Sequence, residues 1–196
     1  MQQLYHIIVQ QAVHLAKQPG SRVGIIGDDV DVFAELVYIY STENLTCPMI
    51  MESPITGRVC ADIQGTAQKH PDIAKQILAI HGLTVADTVA ATYGIGKKKA
   101  VAVFRKRFTL DKLWDMSGDI PAVIEQATKF MSACYGITNA CTTMTDCRRR
   151  LWGQKMGKLT TAPKLCTLPP TTEAFELNVR RAHIHTGRPL VQRIKC

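Results

Sequence analysis

The junction spanning residues 22–40 constrains the fold more than any other stretch. Arg22-Val23-Gly24-Ile25-Ile26-Gly27 is a short, mostly apolar run, and Asp28-Asp29-Val30-Asp31 ends it. An apolar run of this length, closed by acids, is the pattern of a buried parallel strand. Val32, Leu36, Val37 and Tyr40 then recur with the spacing of one helix face. A strand that feeds straight into a helix points to the α/β class.

The flanking segments extend the pattern. Residues 2–18 read as a helix with Leu4, Ile8, Ala12 and Leu15 on one face, and Pro19-Gly20 stops it. Residues 47–51 and 58–61 are short strand candidates around the turn Ser53-Pro54-Ile55-Thr56-Gly57. Pro71 opens a helix predicted to run to Leu83, with Ile73, Ile77, Leu78 and Ile80 apolar. After Asp87 no strand is expected. A short helix at 87–93, a tight turn at Gly94-Ile95-Gly96 and a helix at 97–108 come first. Helices at 111–116, 120–135, 143–152 and 172–185 follow, the last announced by Pro169-Pro170-Thr171. The expected division is an α/β part over 1–86 and an all-helical part over 87–196, joined as one structural unit without a linker.

Charge separates the same two parts. Residues 1–96 hold five basic side chains against nine acidic ones, whereas residues 97–196 hold nineteen against seven. An acidic site in one half and a polyanion-binding surface in the other would explain the split; a solvated basic face is the plainer alternative. Apolar residues make up 46% of the chain, enough to bury a core, so disorder is not expected. The longest apolar runs fall far short of the ~20 residues that span a bilayer. No charged-then-apolar leader opens the chain, so an intracellular protein, nuclear or cytoplasmic and not secreted, is expected. The seven cysteines contain no C-x-x-C pair, which argues against structural zinc and for free thiols.

Two motifs carry chemistry. Asp28, Asp29 and Asp31 should converge at the carboxyl end of the strand, where α/β sheets bind ligands. Three carboxylates within four residues repel one another unless a cation or a basic group offsets them. Oxygen ligands with no Cys or His nearby suit Mg²⁺ or Mn²⁺. The competing role is a helix N-cap, which one of the three can supply. The second motif is Gly94-Ile95-Gly96-Lys97-Lys98-Lys99. It lacks the Ser or Thr of a P-loop, and instead fits a helix-hairpin-helix. There the glycines bring backbone N–H groups to a phosphate, and Lys97, Lys98, Lys99, Arg105 and Lys106 neutralise the polyanion. A glycine helix stop followed by a solvated basic helix is the plainer alternative.

Read in order, the motifs resemble the PIN-like nucleases of the flap structure-specific endonuclease superfamily, in particular a transposon-associated animal branch. The matching residues are Asp29-Val30-Asp31-Val32, then His81-Gly82-Leu83-Thr84-Val85-Ala86-Asp87-Thr88, then Gly94-Ile95-Gly96-Lys97. The resemblance implies a partial PIN-like parallel sheet with flanking helices, then a helix-hairpin-helix and a helical C-terminal region. It implies that Asp29, Asp31 and Asp87, with Asp28 beside them, ligate Mg²⁺ or Mn²⁺ for phosphodiester hydrolysis of DNA or RNA, DNA being the first expectation. The chain departs from the family where an acidic helix carries metal ligands, for Gln2, Gln3 and Tyr5 stand there. The family's first strand would precede Met1, and a protein partner could supply that part. The expectation is therefore a structure-selective nuclease or a decayed descendant, with a non-catalytic nucleic-acid-binding protein as the alternative. Smaller signals, namely Trp114, Trp152, Arg148-Arg149-Arg150, Arg180-Arg181 and His183, fit either nucleic-acid contacts or ordinary packing and solvated faces.

Overall fold

The computed structural model describes residues 2–84, 92–106, 108–137, 141–156 and 162–187, without the side chains of 2–6 and 185–187. It is a mixed α/β structure in two units, the first ending at Leu78 and the second starting at Ala79.

In the first unit, helix α1 (Gln2–Ala16) leads to strand β1 (Val23–Ile26), helix α2 (Val30–Thr42) and strand β2 (Met49–Glu52). The two-residue strand β3 (Ala61–Asp62), helix α3 (Ile63–Lys69) and the single turn α4 (Pro71–Ala74) complete it. β1 runs parallel to β2 in the register Val23↔Met49 to Ile26↔Glu52, and β3 pairs with β2 antiparallel. The expected parallel sheet is thus a small mixed one, with β1 at one edge. Its two longer strands are not buried on both faces either. Val23, Ile25, Met49 and Met51 point into the core, while Gly24 and Ile26 alternate outward and Ile26 is 79% exposed. One covered face, with the period of two that goes with it, replaces the doubly covered strand the apolar run suggested.

The core beneath the sheet joins Val9, Ala12 and Val13 of α1 to Val32, Leu36 and Ile39 of α2, with Ile63 of α3 at its base. The buried face of α1 keeps Ala12 as predicted but is rotated from the rest of the predicted one: Leu15 is exposed, and Val9, Val13 and Ala16 face inward. Small side chains there let the helix lie close to its neighbours. Tyr40 closes the far end by donating its hydroxyl to the Cys47 carbonyl at 2.9 Å. The predicted helix from Pro71 to Leu83 is interrupted at Lys75 and Gln76, and its remainder is α5 (Ile77–Thr84).

The second unit is all-helical among the described residues, as the sequence indicated: α6 (Lys97–Phe104), α7 (Ile120–Cys134), α8 (Met144–Met156) and α9 (Thr172–Gly187). α7 packs against the other three through Val123, Ala127, Phe130, Met131 and Cys134, all buried. The helix expected at 111–116 is only a 3-10 turn, Asp111–Leu113. Asp115 ends it by accepting the amide of Ser117 at 3.0 Å and its hydroxyl at 2.6 Å, a local side-chain cap that competes with continuing the helix. No helix among the described residues is long and apolar enough to cross a membrane.

Candidate functional site

The acids lie where the strand-to-helix junction puts them. The amide of Gly27 still bonds the Glu52 carbonyl at 2.8 Å, so Asp28 and Asp29 are the first residues beyond the β1–β2 ladder. They line a cavity of about 280 Å³ together with Val30, Phe33, Met51, Ser53, Arg58 and Val59. Asp28 is spoken for: its Oδ2 accepts from Arg58 at 2.5 Å and from the Ser53 hydroxyl at 3.2 Å. Both side chains are well exposed, so this ion pair adds little stability. Asp29 caps α2, its Oδ1 accepting the amides of Asp31 at 2.7 Å and Val32 at 3.3 Å.

A fourth acid lies beside Asp31 and Asp29. Glu35 lies one turn beyond Asp31 on α2 and is only 7% exposed. Burial, and then the neighbouring charges of Asp31 and Asp29, push its carboxyl up from 4.5 to about 7. The i, i+4 spacing from Asp31 was the signal that could have revealed it, but its place between Ala34 and Leu36 read as helix interior. Among the described residues no three of His, Cys, Asp and Glu form a group able to hold a metal ion. Asp87 lies outside the described residues, and so do the side chains of Gln2, Gln3 and Tyr5.

Capping and charge can be separated at Asp29. Asn caps as well as Asp, so Asp29→Asn should leave the thermal midpoint of unfolding unchanged, whereas Asp29→Ala should cost about 1 kcal/mol. Equal losses in both variants would mean that the charge itself, and not the cap, matters for folding.

The glycine turn leaves its backbone accessible. Gly94 adopts φ +72°, a left-handed conformation that suits glycine, and the Ile95 amide closes the turn on the Thr92 carbonyl at 3.1 Å. Gly96 is the N-cap of α6 and brings no side chain to it. A Cβ built at either glycine would meet no atom within 4 Å, so the backbone there is open to approach. The first intrahelical bond comes from Ala100 to the Gly96 carbonyl at 3.1 Å, so the amides of the first turn have no acceptor within the helix. No acid occupies that turn. Lys98 and Lys99 are exposed and Lys97 is half-buried, while Arg105 and Lys106 are exposed at the other end. Buried Ile95, Ala100 and Phe104 anchor the element. Residues 85–91, where the first helix of the hairpin was expected, and Arg107 lie outside the described residues.

Arg148 and His183, and other groups of the second unit, have structural work. Arg148 donates to the carbonyls of Pro169 at 2.5 Å and Leu165 at 3.4 Å, and Lys155 donates to Thr167. His183 is buried, with Nδ1 2.6 Å from the Leu113 carbonyl, so it is not an exposed phosphate contact. Burial pushes the thiols of Cys134 and Cys147 up to about 12 and 11, which keeps them protonated and unreactive at neutral pH. Compared with protein-family models, with curated proteins and with solved structures, the chain finds no match.

Proposed function

We propose that the protein binds the phosphate backbone of nucleic acid, DNA before RNA, as a non-catalytic relative of the PIN-like flap nucleases. The start of α6 carries this reading: an open glycine turn, a glycine cap and a first turn of three lysines without an acid. Helix N-termini attract phosphate through their amides and dipole, and consecutive lysines extend the attraction along the strand. The nineteen basic residues of 97–196 supply the surrounding field.

Titrating salt against binding tests the reading. Affinity for a blunt DNA duplex should fall steeply with salt and vary little with base sequence, since backbone contacts carry no sequence information. Binding that is insensitive to salt, or absent, rejects it.

The hydrolytic reading keeps one specific support, the crowding of Asp29, Asp31 and Glu35 beside the carboxyl end of β1, where like charges favour a cation. The described residues do not themselves form a metal centre, and this reading depends on Asp87 joining them. Cleavage of flapped DNA with Mg²⁺ or Mn²⁺ is its test, and no hydrolysis at any metal concentration removes it.

A further inference from the structure

The outer side of α8 presents an aromatic and a cationic group in one stripe. Arg149, Trp152 and Met156 recur at i, i+3 and i+7, the spacing that places side chains above one another on a helix. Trp152 is 43% exposed and Met156 is exposed beside it. The Arg149 side chain is 78% exposed, with only a distant 3.8 Å approach to Asp146. Arg148 and Lys155, which flank Trp152 at i−4 and i+3, reach the 165–169 segment, while buried Met144 and Cys147 hold the inward side of the helix.

A large aromatic residue left 43% exposed within a well-packed helical unit calls for an occupant. Its surroundings choose among the possibilities. An apolar protein partner would want a wider greasy patch, but the helical neighbours of Trp152 are Arg148, Arg149, Lys155 and Met156, on a strongly basic half of the chain. A nucleobase wants this combination, a flat π-face with a cation beside it to meet the adjoining phosphate.

We infer that Trp152 and Arg149 form a stacking platform for an unpaired base of single-stranded nucleic acid. The inference rests on the nucleic-acid reading of the second unit and adds to it a preference for strands with unpaired bases. The Trp152 indole stacks the base, and Arg149 neutralises the phosphate next to it.

The experiment compares fluorescein-labelled oligo(dT) with a blunt duplex on the full chain. Trp152→Ala should weaken oligo(dT) binding about tenfold, and Trp152→Phe should keep most of it, since stacking tolerates any aromatic ring. Duplex affinity should stay within about twofold in both variants, because backbone contacts carry it. Binding of oligo(dT) should also quench tryptophan fluorescence in the wild type and much less in Trp152→Phe. If the wild type binds duplex steeply with salt but Trp152→Ala changes nothing on oligo(dT), or weakens both ligands alike, this inference fails alone. If the wild type binds neither ligand, it fails together with the functional reading.

Discussion

Replacing Lys97, Lys98 and Lys99 together by alanine should lower affinity for duplex DNA by about two to three orders of magnitude at ~0.1 M salt. Each phosphate contact contributes roughly 0.9 to the slope of log affinity against log salt, so losing three should flatten that slope by about 2.7. Extrapolated towards 1 M salt, where the counterion term vanishes, the variant and the parent should converge. The loss should be uniform across sequences, as expected for groups that meet phosphates and not base edges. Folding should be spared. α6 is held by Ile95, Ala100 and Phe104 on its buried side, and alanine is a better helix former than lysine. Circular dichroism would confirm the helix content, and fluorescence anisotropy at several salt concentrations would give the slope. A variant with the parent's affinity and slope would leave the glycine turn as a helix stop beside a solvated basic face.

That expectation depends on an element that was legible in the sequence, and the reasons show where legibility ended. Gly94 and Gly96 punctuate the chain whatever packs nearby, so the turn and the start of α6 at Lys97 follow from local chemistry alone. The long helices α7 and α9 were equally plain. Pro121 sits in the first turn of α7, and Thr171 accepts the amide of Ala174 at 3.3 Å where α9 begins. Local signals failed where tertiary context took over. Gln64-Gly65-Thr66 is poor helix material, yet α3 forms because Asp62 accepts the Gly65 amide at 2.8 Å and Ile63 and Ala67 are buried. The apolar letters of β1 could not tell one covered face from two, since periodicity reports side-chain alternation only when the outward residues are polar. Ile26 is outward and apolar. The acid group was half legible. The strand-to-helix junction placed Asp28, Asp29 and Asp31, but which of them caps, which pairs with Arg58, and that Glu35 joins them depends on side-chain directions that no spacing encodes.

Glu35 yields the largest expected effect on folding. Glu35→Gln should stabilise the protein at pH 8 by up to about 3 kcal/mol and leave it nearly unchanged at pH 4. The sign follows from the two protonation states. The carboxyl titrates at 4.5 when unperturbed and at about 7 in the fold, where burial comes first and Asp31 and Asp29 second. Below about pH 4.5 it is protonated whether the chain is folded or not, and the raised value costs nothing. Between 4.5 and 7 the unfolded chain releases its proton while the folded one retains it, so stability declines as pH rises. Above about 7 the folded state carries a buried charge and the penalty levels off. Glutamine keeps the shape and an acceptor oxygen but has no proton to lose, and titrations elsewhere in the molecule cancel in the difference between the two proteins. Urea unfolding at pH 4 and pH 8 measures it, and equal stability of the two proteins at pH 8 would show that Glu35 ionises without cost. The same pair of proteins tests the hydrolytic reading, because a divalent cation held by Asp29 and Asp31 with Asp87, beside Glu35, would favour the ionised carboxylate. In that case Mg²⁺ or Mn²⁺ added at pH 8 would stabilise the wild type more than Glu35→Gln.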